Sequence, residues 1–119
     1  MNTQTATVNK ITIDELQERL RETKPLHFWN VLTDDYFTGE LIPGSVRRPL
    51  DTVGRDARAA GVPLDAEIVV YCSGVTCPQS VMAAEKLTAI GYRNVRAFEG
   101  GLGEWKEQGL PLAAAQPAM

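Results

Sequence analysis

Two cysteines hold most of the chemistry this sequence can offer. Cys72 closes the apolar run Glu67-Ile68-Val69-Val70-Tyr71, and Cys77 follows at the end of the segment Ser73-Gly74-Val75-Thr76. A thiolate is a strong nucleophile, and its population depends on its surroundings. A strand ending at Cys72 and a helix beginning near Pro78 would set the sulfur at a strand-to-helix junction, where open α/β sheets bind ligands. Gly74 frees the turn, so that successive N–H groups point inward and, with the helix dipole, favour an anion at Cys72. A free thiol titrates at about 8.5, and such an environment lowers it. The chemistry implied is nucleophilic, through a Cys72 thiolate. The competing reading is packing, since free cysteine is among the most buried residue types.

Other chemistry-bearing residues are read as structural. His27 is the only histidine and lies far from the cysteines, so no zinc-ligand set forms and no metal is expected. It sits inside the run Leu26-His27-Phe28-Trp29, where packing is the expected role, as it is for Trp29 and Trp105. Gly100-Gly101 lacks the further glycines and the lysine of a phosphate loop. The charges from Asp51 to Arg58 read as a solvated helix face, with Arg55 and Arg58 available to a protein partner.

Positioning these residues requires a folded α/β domain. The chain has 119 residues, 44% hydrophobic and 23% charged, which suffices for one core. Residues 10–112 are read as that domain, with flexible segments at 1–9 and 113–119. A net charge of −3 offers no broad cationic face, so nucleic acid is not an expected partner. No signal pattern or membrane-length apolar run is present, and two cysteines cannot form a secreted disulfide scaffold. A cytoplasmic protein with reduced thiols and no membrane partner is expected.

Along the chain, Ile13, Leu16 and Leu20 share a helical face, and Leu26 to Val31 reads as a buried strand. Ile42-Pro43-Gly44-Ser45 turns into a short strand at Val46 to Arg48, and a charged helix runs from Leu50 to Ala60. Glu67 to Cys72 is the clearest strand. The helix after Pro78 carries the stripe Val81, Ala84, Leu87 and Ile90 and stops at Gly91. Asn94 to Phe98 is another strand, and a short helix bearing Trp105 follows. Strand–helix–strand order implies a parallel sheet covered by helices.

From about Ile11 to Leu112 the chain resembles single-domain rhodanese-like proteins, the sulfurtransferase family. The resemblance rests on Asn30-Val31, Ile42-Pro43-Gly44-Ser45, Ile68-Val69-Val70-Tyr71-Cys72, Ala83-Ala84-Glu85-Lys86-Leu87 and Gly91-Tyr92. It ends with Val95 and Glu99-Gly100-Gly101-Leu102-Gly103-Glu104-Trp105. It implies a five-stranded parallel sheet flanked by helices on both faces, and a Cys72 persulfide that moves sulfane sulfur from a donor to a thiol or other nucleophilic acceptor without a cofactor. Ser73, Gly74, Val75, Thr76 and Cys77 would form the substrate-binding loop, and Glu99 and Leu102 its rim. The alternative from another class is a non-catalytic rhodanese-like module that binds a protein or senses redox state through Cys72 and Cys77.

Three departures from the family pattern shape these expectations. The loop is longer than the common form, with Ser80 separated from Cys72 by seven residues, and it contains no Lys or Arg. The phosphatase and arsenate-reductase relatives grip their oxyanions with a loop arginine, so those activities are not expected. Thiosulfate is expected to be a poor donor for the same reason, and persulfide, polysulfide or protein-borne sulfur better ones. Cys77 is an unusual companion, read either as a resolving thiol for Cys72 or as a small packed residue near the helix start. Finally, Asn30, Leu32 and Leu41 replace the family's usual Asp, Arg and His, removing both sides of a charged network together.

Overall fold

The structure, a computed structural model, describes residues 8–114. In chain order it comprises β1 (Asn9–Lys10), α1 (Ile13–Arg21), β2 (His27–Asn30), β3 (Glu40–Leu41), β4 (Val46–Arg47), a 3₁₀ turn (Leu50–Thr52) and α2 (Val53–Ala59). There follow β5 (Ile68–Tyr71), α3 (Gln79–Ala89), β6 (Val95–Phe98), α4 (Gly101–Glu107) and β7 (Ala113–Ala114). Five strands form one sheet in the order β1-β6-β5-β2-β4, and every neighbouring pair is parallel. β5 is central, with Val70 beside Trp29 on one side and Ala97 on the other.

A central parallel strand is covered on both faces, so its residues are apolar throughout rather than alternating with polar ones. All four residues of β5 are buried. Ile68 and Val70 pack with Val53 and Ala57 of α2 and Ala83, Ala84 and Leu87 of α3. Val69 and Tyr71 turn the other way, onto Ile13 and Leu16 of α1 and Leu102 and Trp105 of α4. Each such large side chain contributes about 1.5–3 kcal/mol when fully buried. Cys72, the next residue, belongs to this second layer.

Local signals fix the helix ends. The Thr12 hydroxyl accepts the Glu15 N–H at 3.1 Å, and the Glu15 carboxylate accepts the Thr12 N–H at 2.9 Å, a reciprocal cap that opens α1. Gly91 takes φ +112° just past α3, a conformation that glycine adopts without a Cβ penalty. The buried face of α3 is Ser80, Ala83, Ala84 and Leu87. Val81 and Ile90, expected in the stripe, are only half-buried. The helix is rotated so that a serine near its start faces inward, with consequences for Cys72.

The ends of the domain differ from expectation. Residues 1–7 and 115–119 of the segments read as flexible lie outside the described residues. Asn9, also placed there, pairs with Arg96, and Ala113–Ala114 form an antiparallel ladder with Glu40–Leu41. Backbone pairing of this kind satisfies groups that composition alone had left free. Among the described residues no helix is long and apolar enough to cross a membrane.

Candidate active site

The end of β5 brings Cys72 to the carboxyl edge of the sheet, with its side chain fully buried at 0% exposure. The loop then folds over it. The Cys77 N–H donates to the Gly74 carbonyl at 3.0 Å, closing a turn, and α3 starts two residues later. Through this turn the Cys77 carbonyl lies 3.4 Å from Cys72 Sγ and accepts its S–H. Each thiol also perturbs the other's titration.

Their environments push them apart. Burial raises the Cys72 thiol, the neighbouring Cys77 sulfur raises it further, and the Ser80 N–H and hydroxyl offset part of this. Cys77 is only partly buried; burial acts upward there too, but donation from Cys72, the Gln79 N–H and the Ser73 N–H and hydroxyl outweighs it and lowers the thiol. This differs from the expected cradle. Ser73 and Gln79 favour the charged form of Cys77, and Ser80 on α3 that of Cys72. Ser80 Oγ is wholly buried and has no hydrogen-bond partner inside the fold.

α4 supports the loop from the other side. The Leu102 N–H donates to the Cys72 carbonyl at 3.0 Å and the Gly103 N–H to the Ser73 carbonyl at 2.7 Å. Gly101 sits at φ +56°, and a Cβ there would collide with the Cys72 carbonyl oxygen. Gly101 therefore lets one backbone approach another. Of the two expected rim residues, Leu102 is buried in the core and Glu99 pairs with Lys10 at 3.4 Å.

A cleft of about 360 Å³ opens beside the loop, lined by Leu32, Tyr36, Ser73, Thr76, Cys77, Pro78 and Gln79. Gln79 joins its two walls: its carbonyl accepts the Thr33 N–H at 3.0 Å, and its amide donates to the Thr33 hydroxyl at 3.2 Å. Gly74 and Val75, by contrast, face a second cleft with Gly103, Glu104 and Glu107. The expected loop is thus divided between two sides, and Cys77 rather than Cys72 lines the first cleft.

Arg47, Arg48, Arg55 and Arg58 make contacts of their own. Arg47 stacks on Phe37 at 4.0 Å and donates to Asn30 Oδ1 at 3.2 Å, to the Leu32 carbonyl and to Asp34 at 2.7 Å. It thereby supplies, from β4, a cation beside Asn30. The charged network that the sequence lacked at Leu32 and Leu41 is replaced by one arginine that bonds neutral acceptors at Asn30 and Leu32 and a carboxylate at Asp34. Arg48 lies over Trp29, Arg55 reaches Asp56, and Arg58 donates to the Ile90 carbonyl. His27 meets Trp29 edge-on with centroids 5.8 Å apart, a packing role as expected.

Residues 12–108 match the family described as Rhodanese-like domain. The chain belongs to this family. A sulfurtransferase from Allochromatium vinosum is 29% identical over 110 residues, covering 92% of this chain and 98% of that protein. An HTH-type transcriptional regulator from Mycobacterium tuberculosis is 32% identical over 110 residues, which cover 90% of this chain but 46% of the regulator. Among solved structures, the rhodanese-like domain of an Anabaena sp. protein aligns with a TM-score of 0.76 at 23% identity, over 95% of this chain and 87% of that one. A thiosulfate sulfurtransferase from Pseudomonas aeruginosa aligns at 0.75 and 22% identity, over 94% of this chain and 22% of that one. These structural likenesses establish the rhodanese-like fold.

Within this rhodanese-like domain the sequence reading centred on the Cys72 loop. It noted Ser80 at the helix entrance and the Gly100-Gly101 turn, and gave Gln79 and Tyr36 no part in the site. A signal existed for Ser80, a polar residue at the N-terminal end of an otherwise apolar helix face. None existed for Tyr36, which depends on how the β2–β3 segment folds back.

Proposed function

We propose that this rhodanese-like domain is a sulfurtransferase that carries sulfane sulfur as a Cys72 persulfide. Family membership and similarity to a sulfurtransferase support the reaction class. The observation that carries the finer reading is the unpaired, buried Ser80 hydroxyl beside the Cys72 sulfur at the start of α3. With the Ser80 N–H, it offers two donors to a thiolate or persulfide anion where the helix dipole also favours negative charge.

The chemistry is a two-step covalent relay. The protein thiolate attacks the sulfane sulfur of a donor, the donor's sulfur–sulfur bond breaks, and the donor thiol leaves. An acceptor thiolate then attacks the outer sulfur and releases Cys72 as a thiolate. No oxidant is consumed. With Arg47 bonded to Asn30, Leu32 and Asp34, and no Lys or Arg among the residues lining the cleft, persulfide, polysulfide or protein-borne donors suit the site better than the thiosulfate dianion. A reducing compartment such as the cytoplasm would keep both thiols available.

Incubation of the reduced protein with thiosulfate, polysulfide or a cysteine desulfurase system, followed by peptide mass mapping, tests this. The expected product is a gain of about 32 Da, one persulfide sulfur, on Cys72 that cyanide removes, with thiosulfate the slowest donor. Absence of the adduct with every donor overturns the proposal. A second reading, a thiol-sensing or protein-binding module, draws support from the likeness to part of a transcriptional regulator and from the two free cysteines joined through the Cys77 carbonyl. It would then be favoured.

A further inference from the structure

Cys72 is fully buried, and the cleft beside the loop reaches the site at Cys77 instead. A donor approaching Cys72 directly would have to displace the loop that holds Cys77, whose carbonyl is bonded to Cys72 Sγ at 3.4 Å. A donor approaching Cys77 meets a partly exposed residue that lines the cleft. We propose that Cys77 is a second catalytic nucleophile, the first acceptor of sulfane sulfur, and that it passes that sulfur inward to Cys72. This rests on the sulfurtransferase reading and assigns the order of the two thiols within it.

The two steps balance. The Cys77 thiolate attacks the outer sulfur of a donor persulfide, R–S–SH. The donor's sulfur–sulfur bond breaks, the proton stays with the departing RSH, and Cys77 becomes a persulfide anion. The Cys72 thiol then gives its proton to that anion, and its thiolate attacks the outer sulfur. The bond to Cys77 breaks, Cys77 returns to a thiolate, and Cys72 holds the persulfide. One sulfur atom moves twice and no electrons enter or leave.

The surroundings fit this direction of travel. Donation from the Ser73 and Gln79 N–H groups favours a thiolate on Cys77, where the attack begins. The Ser80 hydroxyl is buried without a partner beside Cys72, where the sulfur would come to rest. Leu32, Tyr36 and Pro78 give the cleft an apolar wall, and the hydroxyls of Ser73 and Thr76 give it neutral donors. Such a lining takes the side chain of a low-molecular-mass persulfide or of a persulfidated cysteine better than a small dianion.

Rapid-quench peptide mapping with glutathione persulfide distinguishes the possibilities in the full chain. In the wild type, the added sulfur is expected on Cys77 before Cys72. In Cys72→Ser it should accumulate on Cys77, and in Cys77→Ser the rapid loading of Cys72 should be lost. Loading of Cys72 at the wild-type rate in Cys77→Ser, or a wild-type time course with Cys72 labelled first, overturns the relay alone. A wild-type protein that takes sulfur on neither cysteine overturns the sulfurtransferase reading itself. Because the wild-type time course needs no substitution, a misfolded variant does not blunt the test.

Discussion

Ser80 illustrates how a single side chain can serve chemistry at the expense of the fold. Its hydroxyl is buried with no partner inside the fold, and a buried unsatisfied polar group costs about 1–3 kcal/mol. An alanine would fill most of the same space without that cost. Ser80→Ala is therefore expected to be as stable as the wild type or about 1 kcal/mol more so in urea unfolding. The same change removes a donor that favours the Cys72 thiolate, so the thiol should rise further above its ordinary value. Iodoacetamide labelling of Cys72 should need higher pH, and its persulfide should decay faster. Lower stability with unchanged Cys72 labelling would make Ser80 a packing residue only.

At the scale of elements, the backbone of α4 holds the Cys72 loop in place. Gly101 has φ +56°, and its missing Cβ leaves room for the Cys72 carbonyl oxygen. Gly109 also has positive φ, at +72°, but nothing lies near its Cβ position. Alanine at Gly109 should cost about 1 kcal/mol for conformation alone, whereas Gly101→Ala should cost about 3 kcal/mol, since a backbone clash is added. Parallel urea unfolding of the two variants isolates that clash, and equal losses would refute it. Gly101→Ala should also slow sulfur loading. Elements with local signals were the legible ones: β5 is a continuous apolar run with a turn behind it, β4 follows the Pro43-Gly44 turn, and α3 has a proline before it and Gly91 after it. β1, β3 and β7 have two residues each, too short for any hydrophobic period, and exist because distant backbone supplies their partners. The site divides similarly. Its position at the end of β5 could be read locally, but the choice between Cys72 and Cys77 as the sulfur facing the cleft depends on how the loop folds back.

Across the whole molecule, the opposite edge of the sheet carries a charged cluster that holds the layers together. Glu67, just before β5, accepts Arg19 Nε at 2.9 Å and Nη2 at 2.8 Å, and Arg96 Nη2 at 2.7 Å. Arg19, only 8% exposed, also donates to the Pro25 carbonyl at 2.8 Å. One carboxylate thus ties α1 to β6, and Arg19 extends the tie to the approach to β2. Hydrogen bonding from Arg19 holds the Glu67 carboxyl below its ordinary value near 4.5, with Arg96 adding to the effect. A carboxyl depressed by folding stabilises fully above its unfolded value and loses that contribution as pH falls through the folded one. Glu67→Gln leaves Arg19 without its counter-charge and should lower stability by about 2 kcal/mol at pH 7, less than for a fully buried pair because water reaches Glu67. The deficit should persist down to the ordinary carboxyl value and narrow below it, as the wild type loses the same ionic bonds. Urea unfolding of both proteins from pH 7 to about pH 3 reads this directly, and a deficit that stays constant throughout would exclude ionised Glu67 as its source. Because the cluster lies at the amino edge of the sheet and the thiols at the carboxyl edge, sulfur loading by the folded Glu67→Gln variant should match the wild type.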